Sequence, residues 1–94
     1  MSTAIPDPIR ILLADDDEGN REVLAYYLRR QGFDVRAVQS GYEALAALDA
    51  TRFALLLLDV VMPGIDGLET LKLVRARFNG AELPVILFTG LDDP

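Results

Sequence analysis

Cysteine and histidine are both missing from this 94-residue sequence. Without thiols there are no disulfides, no thiolate nucleophile and no Cys-ligated zinc. Without imidazole there is no Ser-His-Asp or Cys-His nucleophile, no His-ligated metal and no self-phosphorylated histidine. Basic residues are also scarce: nine Lys and Arg stand against fifteen Asp and Glu, a net charge of −6. Nucleic-acid coats draw their affinity from neutralising phosphates, so this balance argues against direct nucleic-acid binding. It favours cations instead. No apolar run approaches the roughly 20 residues of a membrane span. The opening MSTAIPDPIR has two prolines and no apolar stretch, so it reads as neither leader nor anchor. A cytoplasmic protein is expected, with its chemistry left to carboxylates, hydroxyls, backbone and a hard cation.

What is present is a 51% apolar composition, enough for one small core. Short apolar runs alternate with amphipathic segments, and nothing repeats. Ile9 to Ala14 predicts a strand, closed by Asp15, Asp16 and Asp17. Glu18 to Arg30 predicts a helix capped by Asp17, with Val23, Leu24, Tyr27 and Leu28 as its inner stripe and Gly32 beyond its end. Of Tyr26 and Tyr27, one is expected in the core and one at the surface. Phe33 to Val38 alternates like a half-buried edge strand, and Ser40 with Glu43 forms an S-x-x-E cap for a second helix holding Ala44, Leu45 and Leu48. Phe53 to Leu58 is apolar without alternation, the mark of a central parallel strand covered on both faces. Asp59 ends it. After a loop containing Pro63 and Gly64, Asp66 and Glu69 cap a third helix with the stripe Leu68, Leu71 and Val74, and Asn79 and Gly80 stop it. Leu83 to Thr89 is a fourth apolar strand.

The order βαβαβαβ predicts an α/β fold, a doubly wound parallel sheet with helices on both faces. Ligands of such sheets sit beyond the carboxyl ends of the strands. There the first strand offers Asp15 and Asp16, the third Asp59 and the fourth Thr89. Adjacent strands lie about 4.8 Å apart, so these groups can share one small pocket. Two like charges at 4 Å repel by roughly 4 kcal/mol at an effective dielectric near 20. A divalent cation relieves that, and an all-oxygen donor set points to Mg²⁺, Mn²⁺ or Ca²⁺, with Mg²⁺ best suited to a few protein ligands and several waters. A carboxylate beside such an ion can attack phosphorus and form an acyl phosphate.

The segments ILLADDDEGN, LLLLDVVMPGIDG and PVILFTG together resemble the response-regulator receiver domain of two-component signalling. The resemblance covers nearly the whole chain, in order and in spacing. It implies a flavodoxin-like fold that is not an enzyme in its own right. Asp59 would be the phosphoacceptor, taking phosphate from the histidine of a sensor kinase or histidine phosphotransfer protein. Asp16 would bind Mg²⁺ directly and Asp15 through water, with Asp59 and the backbone carbonyl of Val61 completing the protein ligands. Thr89 would hydrogen-bond the phosphoryl oxygens and report phosphorylation, Gly90 would leave room for them, and Pro63 and Gly67 would shape the loop. Asp17, Asp66 and Glu69 are read as caps, and Asp92 and Asp93 as solvated loop charges. Val61 and Leu91, being apolar, would slow hydrolysis of the product.

Receivers continue through a fourth helix, a fifth strand and a fifth helix, whereas this sequence stops after the fourth strand. A C-terminally truncated receiver over residues 1–94 is therefore expected. The lysine that ends the fifth strand has no counterpart, because Lys72, the sole lysine, falls in the third helix. Impaired phosphorylation follows, as does self-association through the uncovered edge of the fourth strand. A haloacid-dehalogenase-type phosphatase would also follow an apolar strand with an aspartate, but it needs a second acid where Val61 stands. A receiver-like interaction or dimerisation module without phosphorylation is the other alternative.

Overall fold

A computed structural model describes residues 7–89. Its elements run β1 (Arg10–Ala14), α1 (Glu18–Arg30), β2 (Asp34–Val38), α2 (Gly41–Ala50), β3 (Leu55–Asp59), α3 (Gly67–Arg75) and β4 (Val85–Phe88). The four strands form one parallel sheet in the order β2-β1-β3-β4. The alternation of elements is as the sequence pattern predicts, and β1, β3 and β4 are neighbours as expected for the 2-1-3-4 doubly wound order.

Local chemistry sets most boundaries. The Asp17 carboxylate accepts the Asn20 N–H at the start of α1. At its end Gly32 adopts φ +98°, and the Gly32 and Phe33 amides return to the carbonyls of Arg29 and Leu28. This pair of bonds is a Schellman turn, which needs a residue tolerant of the left-handed region. Asp66 and Glu69 make a complete reciprocal capping box on α3. The α2 cap departs from the expected box. Ser40 accepts the Glu43 N–H, but the Glu43 carboxylate reaches past Ser40 to the Gln39 amide. α3 ends at Arg75, earlier than Asn79 and Gly80 would place it.

Side chains alternate between two apolar layers. Leu12, Leu56 and Leu58 pack with Ala44, Ala47 and Leu48 of α2 and Val74 of α3. Ile11, Leu13 and Val35 pack on the opposite face under Ala25, Leu24 and Leu28 of α1. The inner stripe of α1 is narrower than expected. Leu24 and Leu28 face the sheet, while Val23, Tyr26 and Tyr27 are all exposed. The two tyrosine rings meet edge to face. In α3 the inner positions are Gly67, Thr70 and Val74, with Leu71 half-buried and Leu68 exposed.

The expectation that β3 is covered on both faces holds on one side only. Leu56 and Leu58 are fully buried, but Leu55 and Leu57 are half-buried. The reason is that α1 sits over β1 and β2, and among the described residues no second helix lies on that face. Ile86, registered with Leu57 across the β3–β4 pair, is 53% exposed for the same reason.

Candidate functional site

β1 and β3 run side by side in register, Ala14 opposite Leu58. The residue after each pair member is an aspartate, so the sheet itself brings Asp15 and Asp59 together at its carboxyl edge. Both are buried, at 0% and 3% exposure, whereas Asp16 faces solvent. Carboxylate oxygens of Asp15, Asp16 and Asp59 all lie within 4.8 Å of one another. Asp17 and Glu18 stand close by but do not join this group. They line the cleft of about 600 Å³ in front of it, together with Asn20, Asp59, Val61 and Thr89.

Each acid is held by its neighbours. One Asp15 oxygen accepts the Asp17 amide at 2.9 Å, and the Arg21 guanidinium donates to the Asp15 backbone carbonyl at 2.8 Å. The other Asp15 oxygen is buried and has no hydrogen-bond partner. An orphaned buried carboxylate oxygen is costly unless a cation or proton meets it. Asp59 accepts the Val61 N–H at 3.2 Å. Burial pushes the Asp59 carboxyl up from 3.8 to about 6; the Val61 amide opposes this, and Asp15 and Asp16 reinforce it. The donor set, all oxygen with an unpartnered buried oxygen, fits a hard divalent cation.

Thr89 follows β4 and lines the same cleft as Asp59. The Val60 amide bonds the Phe88 carbonyl at 2.8 Å, which fixes the end of β4 against the Asp59–Val60 turn. Gly90 and Leu91, also expected near the phosphate, lie outside the described residues, as do Asp92 and Asp93.

Close packing behind the acids was not foreseen from the sequence in this detail. A β-carbon at Gly67 would stand 2.3 Å from the Asp59 carbonyl oxygen and 2.7 Å from the Val60 Cα. Only glycine lets α3 begin so close to the β3 end. Met62, from the same loop, is buried at 5% exposure in the larger apolar layer. Arg21 on Asp15 was likewise missed, and nothing in the spacing marks it among the eight arginines.

The family model of the response regulator receiver domain matches residues 11–94. The chain belongs to the response regulator receiver family. Response regulator MprA of Mycolicibacterium vanbaalenii is 40% identical over 85 residues, 90% of this chain and 36% of that protein. Transcriptional regulatory protein GltR of Pseudomonas aeruginosa is 40% identical over 83 residues, 88% of this chain and 34% of that protein. The chain thus spans about a third of the length of the curated relatives it matches.

Solved receivers share the fold. The response regulator TrrA of Thermotoga maritima, in complex with Mg²⁺-BeF, superposes with a TM-score of 0.81 at 34% identity, covering 86% of this chain and 69% of that one. TrrA in complex with histidine kinase ThkA gives 0.81 at 33% identity, covering 90% and 72%. The chemotaxis regulator CheY4 of Vibrio cholerae gives 0.83 at 30% identity, covering 94% and 73%. The chain is thus a receiver domain of the kind found in response regulators.

Proposed function

We propose that residues 1–94 act as a phosphoacceptor receiver domain in which Asp59 takes the phosphoryl group. The observation that carries this is the convergence of three carboxylates within 4.8 Å, one of them at the floor of an open cleft and one with an orphaned buried oxygen. Asp15, Asp16, Asp59 and the Val61 carbonyl would hold Mg²⁺, which when bound neutralises the phosphoryl oxygens and the crowded acids. An Asp59 oxygen attacks phosphorus, the P–N bond to the donor histidine breaks, and the imidazole nitrogen leaves with the bonding pair. The Val61 amide fixes the orientation of the Asp59 carboxylate. Thr89 lines the same cleft and would receive the phosphoryl oxygens, and Gly90, next in sequence, would leave them space by its lack of a side chain.

The partner is a sensor histidine kinase or a histidine phosphotransfer protein. A neighbour of this fold in complex with its kinase supports that class of partner. The negative charge supports a domain that makes no direct contact with nucleic acid. No described helix is long and apolar enough to cross a membrane, and a cytoplasmic location accords with a kinase-facing role. The domain turns over no substrate of its own, and the position two residues after Asp59 is Val61, where a dehalogenase-type phosphatase needs an acid.

Lys72, the sole lysine of the sequence, is exposed in α3. Incubation with acetyl phosphate and Mg²⁺, followed by intact-mass measurement, tests the assignment. A gain of one phosphoryl group over hours, abolished in Asp59→Asn, is expected. Equal modification of Asp59→Asn would overturn it.

A second reading is favoured by the outer edge of β4, which no strand pairs among the described residues. Ile86 of β4 is exposed, and Leu57, registered with it, and Leu55 on the same face are half-buried. Such a surface supports a homo-oligomer formed through β4 and, in the limit, an interaction module that works without phosphate.

A further inference from the structure

The acceptor loop, residues 60–66, is clamped from a direction that the acidic cluster does not reveal. α2 begins at Gly41, which is buried, and a β-carbon there would stand 2.2 Å from Thr70 Oγ1 and 2.8–2.9 Å from the outer carbons of Ile65. The next residue, Tyr42, lays its ring against Gly64, whose φ is +80°. The first turn of α2 therefore touches both the tip of the loop and the first turn of α3.

Thr70 links these contacts to the site. It is fully buried, and its hydroxyl donates to the Asp66 carbonyl at 2.8 Å. Asp66 caps α3. The next residue, Gly67, donates to the Val60 carbonyl at 2.8 Å and packs on the Asp59 backbone with no room for a β-carbon. A push at Gly41 thus passes through Thr70 and Ile65 to the Asp59–Val61 turn. That turn sets the acceptor carboxylate through the Val61 amide.

We infer that Gly41 is a positioning residue for the acceptor site: its missing side chain seats Thr70 and Ile65, and they hold the Asp59–Val61 turn where it can bind a divalent cation. The inference rests on the receiver reading of Asp59. Its scale follows from the general behaviour of groups that orient metal ligands without touching the metal, whose loss weakens binding by about tenfold or more.

The test titrates Mg²⁺ into the 94-residue chain by calorimetry, with thermal melts alongside. Gly41→Ala is expected to weaken Mg²⁺ affinity by about tenfold. Ile65→Ala, which loosens the clamp without any clash, keeps the inference testable if Gly41→Ala does not fold; it too is expected to weaken Mg²⁺ binding. A Gly41→Ala or Ile65→Ala variant that melts lower yet binds Mg²⁺ as the parent does would overturn the inference and leave the receiver reading intact. A parent chain that takes up no Mg²⁺ would overturn both.

Discussion

Asp59 is the residue whose energetics can be read most directly. Its folded-state pKa of about 6 lies above the ordinary 3.8. Below about pH 4 the carboxyl is neutral in both states and costs nothing. As pH rises from about 4 to about 6, the unfolded chain has released a proton that the folded protein still holds, so stability falls. Above that range the loss is constant, and at 1.36 kcal/mol per unit it amounts to roughly 3 kcal/mol. Asp59→Asn is therefore expected to raise the melting temperature at about pH 7.5 in the absence of divalent ions, and to leave it nearly unchanged at about pH 4. Melts of both proteins at the two pH values check this, and a lower melting temperature for Asp59→Asn at the higher pH would contradict it. The three acids were legible in the sequence because a charge closing an apolar strand is conspicuous. Gly41 was not, since the residues it packs against, Ile65 and Thr70, are distant in the chain, and Arg21 was not, since no spacing marks its bond to the Asp15 carbonyl.

At the level of elements, caps and periodicity carried most of the information. Asp17, Gly32, Asp66 and Glu69 do what their spacing requires. Asp66→Ala removes the side-chain half of a complete capping box at the helix that abuts the acceptor turn. It is expected to cost about 1 kcal/mol by denaturant unfolding. An unchanged unfolding midpoint would show that the box is not what holds α3 in place. The stripes of α1 and α3 were harder to read. A run such as Val23, Leu24, Tyr27 and Leu28 marks an apolar arc wider than one sheet can cover, and only the packing decides which edge stays in water. α1 leans toward β2, with Arg29 bonded to the Val35 carbonyl at 2.9 Å, and this leaves Val23 and Tyr27 outside. Leu68 is exposed because the inner side of α3 is given to Gly67, Thr70 and Val74, small or β-branched residues that allow the close approach to the acceptor turn.

For the molecule as a whole, element order and parallel pairing followed from alternation, because parallel strands need helical crossovers; the strand order did not, since the same alternation also allows β1 to sit between β2 and β4. Boundaries and coverage did not, since burial on the α1 face depends on how many helices share it. That face and the β4 edge set the behaviour of the isolated chain. Light scattering over a dilution series is expected to show a dimer or larger species at micromolar concentration, and Ile86→Lys, a charge on the edge strand, to shift it to monomer. A stable monomer throughout would contradict this account of the edge. The central claim is narrower: three carboxylates converge to hold a hard cation beside an acceptor oxygen. Calorimetric titration of Mg²⁺ into the parent chain and into Asp15→Asn tests it most directly. The account predicts one saturable site in the parent that is lost or weakened at least about tenfold in Asp15→Asn; equal binding by the two, or none by the parent, would contradict it.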